Sequence, residues 1–126
     1  VQLAVELTTA RMRAQGRPPH VVARTTFAGM YWNMAQQLAH ATANGAPLRT
    51  GDLFASGTVS GPAPEQAGSL LELSANGTRP IPLADGSTRM FLQDGDTVTI
   101  AADAPSTGGG RLTLGEVTGR VAPARR

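Results

Sequence analysis

Arg49–Ser74 reads RTGDLFASGTVSGPAPEQAGSLLELS, and the interpretation of this stretch decides the fold of the chain. It is dense in Gly, Ser, Thr and Pro, yet two apolar runs frame it, Leu53-Phe54-Ala55 and Leu70-Leu71-Glu72-Leu73. Gly57, Gly61 and Gly68 allow a positive φ or a close approach of the backbone to another group. The pattern predicts strand, glycine loop and strand, an arrangement by which a rigid scaffold presents hydroxyls and amides to a ligand. Glu72 stands out as a carboxylate inside the second apolar run. With Leu71 and Leu73 facing a core, strand alternation turns Glu72 to the opposite face.

Upstream, Thr26–Ala43 has the spacing of a helix. Phe27, Met30, Met34, Leu38 and Ala41 recur at three- and four-residue steps, and Thr25 or Thr26 is placed to cap. Asn44-Gly45 supplies a left-handed stop, and Pro47 blocks continuation. Tyr31, Trp32 and Gln37 lie beside the apolar stripe, where aromatics next to amides suit contact with another domain or subunit. Nearer the start, Val1–Leu7 and His20–Arg24 alternate as two strands of a hairpin, with Ala10–Pro19 as an exposed connection. His20 reads as a solvent-exposed strand-end residue.

Downstream the pattern is of successive hairpins. Asn76-Gly77 and Asp85-Gly86 are turn dipeptides, and Pro80-Ile81-Pro82-Leu83 between them suits an edge strand. Arg89–Leu92 and Thr97–Ile100 flank Asp94-Gly95-Asp96, which lacks the further oxygen ligands of a calcium loop and reads as a plain turn. Gly108-Gly109-Gly110 precedes no helix, so it reads as a loop rather than a phosphate cradle. Leu112–Val121 is a last alternating strand, with Gly115 and Gly119 as candidate bulges. The fold class expected is α+β, mostly β, built from antiparallel hairpins and one long helix.

Composition removes several functions. A chain of 126 residues carries one domain with a core. There is no Cys, so disulfide and thiolate chemistry are excluded and a cytoplasmic setting is expected. All 11 cationic residues are Arg, which rules out Schiff-base chemistry on lysine. The net charge is only +2 and no basic cluster forms, so neither nucleic acid nor, without a long apolar run, a membrane is an expected partner. Ser56 and Ser60 lack a nucleophile-elbow pattern and a recognisable base.

Three motifs together resemble the C-terminal part of the fumarylacetoacetase family: GDLFASGTVSGPAPEQAGSLLELS, MYWNMAQQLAHATANGAPLRTGDL (Met30–Leu53) and FLQDGDTVTI (Phe91–Ile100). The likeness covers Thr26–Ile100, and more loosely extends to Pro123. It implies that residues 1–126 are a fragment of a β-roll or β-sandwich catalytic domain, whose upstream portion is a necessary partner. It also implies a homodimer that hydrolyses the carbon–carbon bond of fumarylacetoacetate in tyrosine and phenylalanine breakdown. The family's cofactor is Ca2+ or Mg2+, held by carboxylates and working with a His base, all upstream of the residues present here. By motif match, Thr58 corresponds to the threonine that hydrogen-bonds substrate and Glu72 to the glutamate that orients and charges the catalytic His. On this basis the chain alone is expected neither to bind the metal tightly nor to be active. Two alternatives stand beside it: a non-catalytic module for dimerisation or small-acid binding, and a hydrolase of another β-dicarbonyl such as an acylpyruvate.

Overall fold

Alternating apolar and polar residues at the two ends of the chain build a single antiparallel sheet. The computed structural model describes residues 1–125. Its elements are β1 (Gln2–Thr8), α1 (Ala10–Ala14), β2 (His20–Thr26), α2 (Met34–Thr42), α3 (Leu70–Leu73), β3 (Ile81–Pro82), β4 (Thr88–Arg89), β5 (Thr97–Pro105) and β6 (Arg111–Arg120). The four long strands lie in the order β2-β1-β5-β6, and β3 and β4 form a separate small hairpin. The architecture is therefore α+β and mostly β, as expected, with an open sheet rather than a closed barrel.

Register follows from which face is buried. Leu3, Val5 and Leu7 of β1 sit opposite Ala102, Ile100 and Val98 of β5. A slip in register there would send the apolar set to the wrong face. β1 and β2 pair from Gln2↔Thr26 to Leu7↔His20, with an irregularity between Val5 and Glu6. Gly115 has φ +80° and lies opposite the irregularity between Ala101 and Asp103, so the expected bulge is there. Gly119 pairs in step with Val98 and makes none.

The small core sits at one end of the sheet, where Leu7, Met12 and Leu83 meet with Val22, Ile81 and Val98 around them. Most of Ala10–Pro19 is exposed as expected, and the correction is confined to the helical turn α1 and its Met12. Thr9 caps α1 by accepting from the Met12 amide at 3.0 Å, and the turn it starts drives Met12 into full burial. The Thr9 hydroxyl in turn donates to buried Asp85 at 2.8 Å, which pins the β3–β4 hairpin to α1.

Four further expectations are corrected. The helix begins at Met34, not Thr26: Thr26 caps only a 3-10 turn at Phe27–Gly29, and Asn33 with Gln36 forms the capping box of α2. α2 is thus nine residues long, and it buries none of them. Leu70–Leu73 is one turn of helix, not a strand. Asn76-Gly77 closes that turn rather than a hairpin, and Arg89 ends β4 so that Met90–Leu92 is irregular. The Asp85-Gly86 hairpin, the Gly45 stop (φ +87°), the loop at Gly108–Gly110 and a turn at Asp94-Gly95-Asp96 are as expected, although Asp96 is fully buried in that turn.

Candidate functional site

The glycine-rich segment folds back across the covered face of the sheet instead of forming its own strands. Gly57 has φ +80°, a conformation strained for any residue with a Cβ, and the turn there brings Thr58 over the sheet. A cavity of about 480 Å3 results, with Leu3, Val5, Thr25, Phe27, Thr58 and Gly68 among its walls. Its lining is mostly apolar and carries a few hydroxyls. The Thr25 hydroxyl is buried without a partner among the described residues. Ser56 donates to the Gly57 carbonyl at 3.1 Å, so the serine, not Thr58, fastens the turn. Thr58 is exposed along the cavity wall.

Glu72 is placed by α3. Ser69 caps that turn, its hydroxyl 3.3 Å from the Glu72 amide that it accepts from. The same hydroxyl lies 3.1 Å from Glu72 Oε2. Ser60, reaching from the glycine-rich segment, sits 3.0 Å from Oε1 and 2.9 Å from Oε2. Ser60 Oγ also accepts from the Gly68 amide at 3.0 Å, leaving its proton for the carboxylate. The Ser60 hydroxyl, then that of Ser69, hold the Glu72 carboxyl below its ordinary pKa; desolvation opposes them, and the Gly68 and Ser69 amides add lesser lowering contributions. The result is a carboxylate kept ionised and still exposed.

Gly68 joins the two candidate residues. A Cβ on it would lie 2.4 Å from the Val59 carbonyl oxygen and 2.7 Å from Thr58 Cγ2, closer than real Cβ atoms come. Gly68→Ala therefore must push the Thr58–Ser60 backbone aside and stretch the Gly68–Ser60 bond. Amide chemical shifts at Thr58, Val59 and Ser60 are expected to move while those of β1 and β5 hold. An unchanged spectrum at those three residues would mean that the segment yields without cost.

The structure brings Thr58 and Glu72 to the same loop pair, but it brings no histidine to them. His20 starts β2 beside Leu7, and His40 packs at a tilt against Trp32 with ring centroids 4.5 Å apart. Ser60 is engaged by a carboxylate and an amide, which gives no support to a nucleophilic role. No three His, Cys, Asp or Glu side chains cluster among the described residues. Asp96 is spent on Arg89, Asp103 on Arg111, and Asp85 on Thr9 and Ser87. Among the described residues these carboxylates are thus engaged elsewhere and do not gather into a donor set for Ca2+ or Mg2+. Sequence reasoning missed Ser60 and Ser69 as partners of Glu72. The signal was available in Ser69-x-x-Glu72, the spelling of a helix start.

Residues 5–122 match the family described as fumarylacetoacetate (FAA) hydrolase, C-terminal. The human fumarylacetoacetase is 52% identical over 103 residues, which is 82% of this chain and 24% of that protein. The rice fumarylacetoacetase is 48% identical over 106 residues, 84% of this chain and 24% of that protein. The Aspergillus fumigatus fumarylacetoacetase is 42% identical over 124 residues, 98% of this chain and 27% of that protein. The chain thus spans about a quarter of the length of these relatives. No helix among the described residues is long and apolar enough to cross a membrane.

Proposed function

The chain belongs to the fumarylacetoacetate hydrolase family, and from that premise we propose that it supplies the Thr58 and Glu72 side of an active site that cleaves fumarylacetoacetate to fumarate and acetoacetate. The observation that carries this reading is Glu72 itself: an exposed carboxylate, kept ionised by two hydroxyls, on the loop pair that presents Thr58. In the reaction a base takes a proton from water and the hydroxide oxygen adds to a carbonyl carbon. The carbon–carbon bond then breaks, and its electron pair leaves as the enolate of acetoacetate, which is protonated. A histidine acting as base becomes imidazolium, and a carboxylate on its other nitrogen stabilises that charge and fixes the tautomer. Glu72 is suited to that part, with its histidine supplied from outside this chain. The Ca2+ or Mg2+ requirement is likewise assigned to residues beyond it, since those present do not fit a cation site.

Tyr31 (94% exposed), just before α2, and Met34 (71% exposed), at its first residue, fit the homodimer proposed with this activity. A cytoplasmic location belongs to the same reading. The deciding experiment places this chain in a complete enzyme of the family and compares substrates. Faster turnover of fumarylacetoacetate than of an acylpyruvate is expected, and the chain alone should turn over neither. Preference for the acylpyruvate would overturn the substrate assignment.

Thr58→Val keeps the side-chain shape and removes the hydroxyl. A hydrogen bond to a charged carboxylate of the substrate contributes about 1.5–3 kcal/mol. In the complete enzyme the specificity constant for fumarylacetoacetate should fall by the corresponding factor, with thermal stability nearly unchanged. An unaltered specificity constant would leave the hydroxyl without a substrate role.

A further inference from the structure

We infer that Ser60 is a positioning residue for this chemistry: its hydroxyl, set by the Gly68 amide, aims the Glu72 carboxylate and keeps it on the loop that carries Thr58. The inference deepens the reading of Glu72 given above and rests on it for its catalytic consequence.

Unaided, Glu72 would follow the ordinary pattern of its helix position. It stands at the third position of α3, where a glutamate commonly reaches back to the backbone amide of the capping residue. Here the hydroxyls of Ser60 and Ser69 are its main partners, and the Ser69 amide adds only a lesser contribution. Ser69 is a local partner three residues away, as any capping serine would be. Ser60 is different, since it lies twelve residues upstream on another segment. Its contact to Glu72 is what joins α3 to the Thr58 segment through side chains.

The donor is itself oriented. Ser60 Oγ accepts from the Gly68 amide at 3.0 Å, so its rotor is constrained and its single proton is directed at the carboxylate. Gly68 is held in turn against Val59 and Thr58 Cγ2, with no room for a Cβ. The sequence of contacts is thus Thr58, Gly68, Ser60, Glu72. A shift of the segment that carries the substrate-facing hydroxyl moves the carboxylate with it. An exposed glutamate normally samples several rotamers, and an ordering contact of this kind removes that freedom before a partner arrives. The hydroxyl donates only to the carboxylate, so oxygen lone pairs remain for an imidazole N–H.

Two variants in the complete enzyme test this. Ser60→Ala should lower kcat on the order of tenfold with KM held, because one of two hydroxyl supports is lost while Thr58 stays in place. Ser60→Thr retains the hydroxyl and should restore kcat. A Ser60→Ala enzyme with wild-type kcat overturns the inference. So does a loss that Ser60→Thr fails to rescue, or a loss that falls on KM alone. A second arm is independent of turnover. Carboxyl-carbon NMR of glutamate-labelled protein, with the Glu72 signal assigned from Glu72→Gln, should show its pKa rising in Ser60→Ala. An unmoved titration overturns the positioning contact itself. If the titration moves while fumarylacetoacetate is not a substrate, the contact stands, the reading of function fails, and with it the catalytic role of Ser60.

Discussion

Glu72→Gln in the complete enzyme is expected to reduce kcat on the order of 10²–10⁴-fold. The amide keeps the size of the side chain and one acceptor oxygen but removes the charge. Both serines can still bond it, since a hydroxyl accepts from the amide nitrogen as readily as it donates to the amide oxygen. α3 and its cap are therefore expected to persist, and the variant should fold. What is lost is the stabilisation of an imidazolium formed when the base takes a proton from water. The pKa of that histidine should fall, because its charged form loses a partner. The acid limb of the rate profile then moves to lower pH as the plateau drops. Retained turnover with an unmoved pH profile would reduce Glu72 to a helix-capping residue.

The largest effect on stability is expected at Arg89. Its guanidinium makes two bonds to Asp96, at 2.8 and 3.0 Å, and Asp96 is fully buried. Burial by itself raises the pKa of Asp96. The Arg89 side chain, the Gln93 amide and the charges of Arg89 and Arg13 outweigh it and hold the carboxyl below its usual range. Arg89→Ala leaves that carboxylate buried without its cation, which typically costs about 3–5 kcal/mol. Urea denaturation at pH 7 should show this as a lower midpoint with a similar slope.

The sign of the pH dependence follows from the direction of the shifts. A carboxyl whose pKa is lower in the folded state stabilises above its unfolded value, about 3.9, and that contribution is lost as pH falls through the folded value. Asp85, lowered to about 2 chiefly by Ser87, behaves in the same sense as Asp96. The gap between wild type and Arg89→Ala should therefore narrow below about pH 4. A gap that persists at pH 2 would place the cost in lost packing of the Arg89 side chain instead.

What could be foreseen of the fold came from residues with one dominant local preference. The four long strands carry alternation over part of their length, and Asp85-Gly86 is a dipeptide with a single favoured geometry; they are found near where expected, with β5 running on from Ile100 to Pro105. The failures share a cause: segments whose local pattern is too short to decide. Leu70–Leu73 holds three leucines and a glutamate, equally compatible with a strand, and only the Ser69 cap tips it to a helix. Phe27–Met30 continued the helical spacing of α2, but the Asn33–Gln36 capping box restarts the helix four residues later. Met12 lies between two arginines and looked solvated until the Thr9 cap turned it inward. At the candidate site, motif likeness singled out Thr58 and Glu72 as candidates. The Gly68 contact and the Ser60 bond were not, because both depend on segments meeting in space.

The order of strands has a consequence for how the chain is made. β1 is paired on one side by β2, a near neighbour in sequence, and on the other by β5, with Thr8 opposite Thr97. About 90 residues must therefore be synthesised between the two members of the central pair. At 5–20 residues per second, β1 waits on the order of 5–20 s on the ribosome with its inner edge unpaired. The β5–β6 hairpin closes through a short loop and needs no such delay. Docking of that late hairpin onto β1 is then the step that closes the sheet, and an open strand edge during the wait is a template for pairing with another nascent chain.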